Sequence, residues 1–209
     1  MMGGPLMRKP MGYARKAAAF LTADEYLALE TRARNKHEYL EGVIYAWQGQ
    51  VPESMAGGSR AHHRISLNIA TTLNTALQGT PCAPYMADMR LRVAPAAGRT
   101  ETAYFYPDLF VHCGTPPPAQ ATEIENPKLI IEVLSPSTEE FDRTEKFAVY
   151  SSIASLEELV FVNSNPPFGI EVYRRDGAAV LVRVESGEPN LLLASIGVNM
   201  TRDAVLAGV

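Results

Sequence analysis

Cysteine is scarce in this chain, whose 209 residues include only Cys82 and Cys113. Two cysteines that lie so far apart in the sequence predict neither a zinc knuckle nor a disulfide scaffold. A chain without such a framework is typical of a reducing compartment. We therefore expect a cytoplasmic protein.

Long apolar runs are also missing, and no uncharged stretch approaches the roughly 20 residues that a membrane-spanning helix needs. The first 20 residues carry four basic side chains and no acidic one, a composition that a targeting leader can share. Their apolar stretch, residues 17–21, is too short for the roughly 7–15 residue core of a signal peptide. Residues 1–20 are therefore interpreted as a basic N-terminal tail, and no membrane association is expected.

An excess of basic residues is absent as well. The chain has 19 Lys and Arg against 23 Asp and Glu, which gives a net charge of −4. This balance excludes a histone-like nucleic-acid coat, although it leaves room for a local basic groove. With 46% hydrophobic and 20% charged residues the chain has globular rather than disordered composition, so we expect residues 21–209 to form a single domain.

Four segments are predicted to be helical, and the last is a short helix that begins near Thr201. Thr22 and Glu25 have the spacing of a capping box, which predicts a helix start. In residues 60–78 apolar side chains recur every four positions, and Gly79 and Pro81 follow, as is typical of an amphipathic helix and its end. A third helix is predicted from the Ser-Pro-Ser-Thr segment at residues 135–138 to about residue 152.

The remaining apolar segments predict strands. Residues 129–134 are almost entirely apolar, as expected for a central strand that is buried on both faces. Together with the helices, the strands predict an α/β protein with a mixed central β-sheet flanked by helices. The predicted strands cover residues 39–47 (two strands around a tight turn), 85–93, 103–113, 129–134, 158–162, 170–173 and 179–184.

Two acids lie inside predicted strands, where an uncompensated carboxylate is strongly disfavoured. Asp108 follows Pro107 in one apolar run, and Glu132 interrupts the next. Either acid alone could lie at a strand end or pair with Arg90 or Arg92. Two acids on successive strands can instead converge at one sheet edge, so we favour a site for a hard cation.

The same residues resemble a known group of enzymes. Pro107-Asp108 and the later Glu132 resemble the PD-(D/E)XK nuclease signature, in which two acids on adjacent strands hold magnesium and a lysine lies two places after the second acid. The amino-acid sequence is more closely similar to the Uma-two family of restriction-endonuclease-like nucleases, over about residues 22–209. The similar segments are residues 37–45, 62–65, 88–93, 106–111 and 129–138, followed by Asp142, Lys146 and Tyr150.

The resemblance implies a restriction-endonuclease-like core and assigns roles to five residues. Asp108 and Glu132 would hold Mg²⁺, with Mn²⁺ as the alternative ion, and the Val133 carbonyl would complete the oxygen ligands. Leu134 occupies the signature lysine position, so Lys146 from the next helix would supply the ammonium group. The alternative for Lys146 is a solvated helix lysine. Glu38 would be a fourth catalytic residue.

The sequence therefore predicts a magnesium-dependent endonuclease that hydrolyses DNA phosphodiester bonds, with a homodimer as the expected assembly. The alternative is a catalytically inactive nuclease-like module that binds nucleic acid or a protein partner. Two features favour this alternative, namely Leu134 in the signature position and the acidic net charge. His62 could line the cleft from the start of the long helix, but for this residue we favour a capping or surface role.

Overall fold

The structure is a computed structural model that describes residues 13–15, 20–47, 58–96, 99–177, 180–184 and 190–209. Its helical segments are α1 (Ala23–Glu30), α2 (Arg60–Ala76), α3 (Glu139–Phe141), a π-helical segment (Asp142–Lys146), α4 (Phe147–Ser151) and α5 (Arg202–Val205). Its first strands are β1 (Tyr13–Arg15), β2 (His37–Leu40), β3 (Val43–Trp47), β4 (Cys82–Met86), β5 (Arg90–Val93), β6 (Ala103–Phe105) and β7 (Leu109–Cys113). The later strands are β8 (Glu123–Ile124), β9 (Pro127–Leu134), β10 (Glu158–Asn163), β11 (Ile170–Asp176), β12 (Val180–Val184), β13 (Asn190–Leu193) and β14 (Val198–Thr201).

The helix starts follow from the capping residues that the sequence offers. The Thr22 side chain accepts a hydrogen bond from the Glu25 amide, and the Glu25 carboxylate accepts one from the Thr22 amide, so the capping box before α1 is confirmed. Ser59 caps α2 by accepting from the His62 amide. This cap fixes the first turn of α2, where His62 lies.

The strands form two six-stranded sheets rather than one central sheet. The first sheet has the order β1-β3-β2-β6-β5-β8, and the second has the order β12-β11-β10-β9-β7-β4. Each sheet is mixed, because β5 runs parallel to β8 in the first and β9 runs parallel to β10 in the second, while the other pairs are antiparallel. A further hairpin of β13 and β14 lies outside the predicted strands. The α/β class is confirmed, and its β-sheet component is larger than predicted.

The two faces of the second sheet bury different sets of side chains, because residues alternate along a strand. Leu109 and Ile131 contribute to a core that includes the apolar face of α2. Phe110 and Ile130 contribute to a core that includes strands of the first sheet and the helix after β9. All four apolar side chains that recur in residues 60–78, namely Ile65, Ile69, Leu73 and Leu77, lie in the first of these cores. The second sheet is therefore the middle layer of the molecule.

The chain changes sheets at two points beside the predicted acids. It leaves the second sheet after β4, turns through residues 87–89 and enters the first sheet as β5. It returns through residues 106–108, between β6 and β7. The single predicted strands at residues 85–93 and 103–113 are therefore wrong. A turn with Ala87 at positive φ divides the first between the sheets, and residues 106–108 divide the second.

The expectation that the cysteines form no disulfide framework is wrong. Cys82 and Cys113 occupy directly opposed positions on β4 and β7, with their Cα atoms 4.0 Å apart, and they form a disulfide. Sequence separation gave no indication of this pair, because the long segment between them folds back through the other sheet. The disulfide joins the edge strand β4 to its neighbour.

The boundary at residue 20 is also too simple. Tyr13–Arg15 lie within the predicted tail but form β1, which pairs with β3 at the edge of the first sheet. The rest of that tail, residues 1–12 and 16–19, lies outside the described residues, as does most of the loop at residues 48–59. Among the described helices, none is long and apolar enough to cross a membrane.

Candidate active site

Asp108 and Glu132 lie side by side where β7 and β9 meet. These strands are antiparallel, with Leu109 opposite Ile131 and Phe110 opposite Ile130, so the next pair in this register is Asp108 and Glu132. Asp108 lies at a strand end, immediately before β7, whereas Glu132 lies within β9. The positions of both acids continue the alternation of Phe110 and Ile130, which lie on the same face of the second sheet. The two acids thus converge at one edge of the second sheet, as predicted.

Reciprocal hydrogen bonds join the two acids through the backbone. The Asp108 amide donates to Glu132 Oε2 over 3.1 Å, and the Val133 amide donates to Asp108 Oδ2 over 2.7 Å. Each carboxylate is thus held by the main chain of the opposite strand. The Val133 backbone lies against the site, while its side chain packs in the core with α2.

Lys146 is the positive centre of the cluster, and the alternative of a solvated helix lysine is wrong. Its side chain is 5% exposed. Its Nζ lies 2.8 Å from Glu38 Oε1, 3.1 Å from Glu132 Oε1 and 3.1 Å from Asp142 Oδ1. An ammonium group therefore lies beside Glu132 even though Leu134 occupies the signature position.

The π-helical segment brings Lys146 to this place. It spans Asp142–Lys146 between α3 and α4, and α3 follows the buried strand β9 that carries Glu132. Segments of π-helix are rare and occur frequently at functional sites. One turn further on, in α4, the fully buried Tyr150 donates its hydroxyl hydrogen to Glu132 Oε1 over 2.8 Å. Asp142 and Tyr150 thus join the site from either side of Lys146.

Glu38 reaches the cluster from the first sheet. It lies on β2, and its Oε1 accepts from Lys146 and, at 3.5 Å, from the Tyr106 amide. Its Oε2 is buried and has no hydrogen-bond partner. A buried carboxylate oxygen without a partner is costly, so the site has unused capacity for a proton or a cation at this atom.

Glu30, at the end of α1, braces the two chain segments that carry Glu38 and Asp108. It accepts hydrogen bonds from the His37 amide at 2.9 Å, from the His37 ring at 2.8 Å and from the Tyr106 hydroxyl at 3.0 Å. His37 immediately precedes Glu38, and Tyr106 lies two residues before Asp108. The capping box before α1 was the signal for this helix, but nothing in the sequence singled out Glu30.

His62 contacts Asp108 from the first turn of α2. Its Nε2 lies 3.1 Å from Asp108 Oδ1, and its side chain is 18% exposed. Asp108 itself is 25% exposed, whereas the other three carboxylates are almost fully buried. The open side of the cluster is therefore the side where Asp108 and His62 lie.

Negative charge is in excess at the site, since it holds four carboxyl groups and one ammonium group, which contacts three of them. Burial raises the pKa of Glu132, and although Lys146 opposes this shift, Asp142, Asp108 and Glu38 reinforce it. Burial likewise raises the pKa values of Glu38 and Asp142. Burial works against the charged form of Lys146, but the surrounding carboxylates raise its pKa well above its usual value. The cluster therefore favours uptake of protons or of a further cation.

The donor set fits a hard cation in its chemistry, because it consists of carboxylate oxygens that carry excess negative charge. Among the residues that the structure describes, no three acidic, histidine or cysteine side chains surround a common point closely enough to hold a metal ion. Mg²⁺ commonly binds through one or two carboxylates and keeps several waters. The two carboxylates of Asp108 and Glu132 agree with that number of protein ligands.

The two strand arginines do not neutralise these acids. Arg90 pairs with Glu123 at 3.4 Å, and Arg92 forms an ion pair with Glu125. Both partners lie on or beside β8, the short strand at the edge of the first sheet. The alternative in which Arg90 or Arg92 compensates the buried acids is therefore wrong.

Comparison with known proteins identifies the family of the chain. Residues 23–203 match the Uma2 (Uma-two) family, whose description is "Putative restriction endonuclease". The chain belongs to the Uma2 family. Two Synechocystis proteins named as uncharacterized, slr1290 and sll1609, are 32% and 33% identical to it over 191 and 159 residues. These alignments cover 90% and 75% of this chain, and 93% and 82% of the relatives.

A solved structure has the same fold. It is described as a putative nuclease belonging to DUF820 from Anabaena variabilis, and it aligns with a TM-score of 0.61 and 18% sequence identity. The alignment covers 89% of this chain and 97% of that one. This Uma2 chain thus shares its fold with a protein of similar size.

Proposed function

We propose that this Uma2 protein is a metal-dependent endonuclease that hydrolyses DNA phosphodiester bonds. The observation that carries the proposal is the contact of Lys146 Nζ with Glu132, 3.1 Å away, beside the Asp108 and Glu132 pair. Two acids on adjacent strands and a nearby lysine reproduce the side-chain types of the nuclease signature, although the lysine comes from the following helix. Family membership supports the same reaction class.

Asp108 and Glu132 would hold Mg²⁺, or alternatively Mn²⁺, together with the Val133 carbonyl. When bound, the ion supplies polarisation of the scissile phosphate and a lowered pKa for a water molecule. Lys146 would stabilise negative charge that develops on the phosphate, as fixed cations do in phosphoryl transfer. Tyr150 would keep Glu132 in place through its hydrogen bond. Substrate would approach from the open side, beside Asp108.

Glu38 would act on protons rather than on the phosphate. Burial raises the pKa of Glu38, and its Oε2 has no hydrogen-bond partner. It can therefore hold a proton at a higher pH than an exposed glutamate, next to the lysine that contacts it. Glu38 would then assist as an acid or base.

A homodimer is a further part of the proposal. The Cys82–Cys113 disulfide is typical of an oxidising environment, so the reducing compartment expected from the sequence is not part of it. The described residues contain one candidate site, and cleavage of both strands of a DNA duplex is most simply performed by two copies. Light scattering on the purified protein would measure its mass in solution. A monomer that cleaves both strands would overturn the dimer and leave the hydrolytic proposal standing.

The competing function is an inactive module that binds nucleic acid or a protein, and the acidic net charge favours it. Incubation of the protein with plasmid DNA in Mg²⁺, in Mn²⁺ and in EDTA separates the two functions. Cleavage that requires the metal supports the enzyme. Gel-shift binding of the same DNA without cleavage in either metal supports the module.

A further inference from the structure

His62 is a half-buried contact of Asp108 to which neither the signature nor the family description assigns a role. Its Nε2 lies 3.1 Å from Asp108 Oδ1, while the Val133 amide engages the other carboxylate oxygen over 2.7 Å. The Asp108 carboxylate is therefore held at both oxygens. Hydrogen bonds to both oxygens fix the plane of a carboxylate, and the orientation of this plane decides where the remaining lone pairs point.

The two nitrogens of the His62 ring have different surroundings. Nδ1 is buried and has no hydrogen-bond partner. A Cβ atom added to Gly58 would lie 2.6 Å from Nδ1, so the backbone of Gly58 covers that edge of the ring. Ser59 caps the same turn by accepting from the His62 amide. The ring is thus placed by its own loop and cap, with Nε2 as the nitrogen that faces the acids.

We propose that His62 is the positioning residue of Asp108. The Nε2–H group of His62 donates a hydrogen bond to Asp108 Oδ1 and thereby orients this acid for a divalent cation. This inference rests on the proposed function, because it assumes that Asp108 holds a metal ion. The arrangement has a physical parallel in metal sites, where groups that hydrogen-bond to a ligand orient it, and their loss typically costs about 10–100-fold in affinity.

The test compares Mn²⁺ affinity by isothermal titration calorimetry in the wild-type protein and in matched variants. His62→Leu removes the donor, and we expect affinity to fall about 10–100-fold. His62→Gln keeps an N–H donor near the position of Nε2, and we expect affinity within about threefold of the wild type if one neutral hydrogen bond is retained. His63→Leu changes the neighbouring, exposed histidine, and we expect no change.

A second variant tests the same contact without removing the imidazole. Gly58→Ala would place its Cβ against the ring at Nδ1, so the ring must shift relative to Asp108. We expect weaker Mn²⁺ binding in this variant too. Thermal unfolding without metal would establish that each variant is folded before it is titrated.

The outcomes separate this inference from the proposed function. Equal Mn²⁺ affinity in His62→Leu and the wild type would overturn the positioning role while leaving the metal site in place. Equal losses in His62→Gln and His62→Leu would also overturn it, because the imidazole nitrogen would then be required as a ligand. Absence of Mn²⁺ binding in the wild type would overturn the proposed metal site and this role together.

Discussion

Replacement of Lys146 by methionine tests the electrostatics of the site. The substitution keeps a long apolar side chain but removes the ammonium group that lies within 3.1 Å of three carboxyl groups. Loss of one partner from a buried ion pair typically costs about 3–5 kcal/mol, because the remaining charge is buried without compensation. We expect Lys146→Met to lower the free energy of unfolding by about this amount at pH 8 in EDTA.

The cost of Lys146→Met should depend on pH in a defined direction. Burial raises the pKa of Glu132 from 4.5 to about 8, so the folded protein binds this proton more tightly than the unfolded chain does. Stability that depends on this proton is therefore present at low pH and is lost as the pH rises from 4.5 towards 8. Removal of Lys146 raises the carboxyl pKa values further, so we expect the variant to lose more stability at pH 8 than at pH 5.

Urea denaturation at pH 5 and pH 8, with EDTA in both buffers, measures these differences. Lys128→Met is the matched control, because Lys128 pairs with Glu157 at the surface. Such exposed pairs contribute about 0–1 kcal/mol. A Lys146→Met variant that loses no more stability than Lys128→Met, or that loses the same amount at both pH values, would refute the buried cluster.

Three further predictions concern contacts around the site. Tyr150→Phe removes one hydrogen bond to a buried carboxylate, and we expect a loss of about 1–3 kcal/mol in urea denaturation; no loss would show that Glu132 does not need the contact. Glu30→Gln disturbs the contacts to His37 and Tyr106, and we expect weaker Mn²⁺ binding by calorimetry. The control Glu25→Gln changes an exposed residue and should leave Mn²⁺ binding unchanged. Equal affinities in Glu30→Gln and the wild type would exclude a bracing role for Glu30. The cross-strand disulfide joins residues 31 positions apart, so reduction by dithiothreitol should lower the free energy of unfolding by about 2–4 kcal/mol. An unchanged free energy of unfolding would show that the bond contributes nothing.

The sequence identified those parts of the site that carry a local signal. Asp108 and Glu132 were visible because a charged residue in an apolar strand conflicts with burial unless it is compensated. Lys146 was found from the resemblance, since its residue type alone favoured a solvated position. His62 and Tyr150 were visible as residues, but their contacts depend on how α2 and the π-helical segment pack against the sheet.

Long-range pairing explains most of what the sequence could not provide. The opposition of Cys82 and Cys113 depends on β4 lying next to β7, which no local pattern specifies. The division of the strands into two sheets depends on the turn at residues 87–89, where a run of strand-forming residues hides a change of sheet. Periodicity reports on one face of one element, whereas these features depend on which elements are neighbours.

Cleavage of an end-labelled DNA duplex under single-turnover conditions tests the hydrolytic site most directly. Wild-type protein and Asp108→Asn would be compared in Mg²⁺ and in EDTA, after both are shown to be folded. We expect the wild type to cleave in Mg²⁺ alone and Asp108→Asn to cleave at least about 100-fold more slowly, the scale for loss of one group that stabilises the transition state. Equal cleavage by the two proteins, or wild-type cleavage that persists in EDTA, would contradict a metal-dependent site at Asp108 and Glu132.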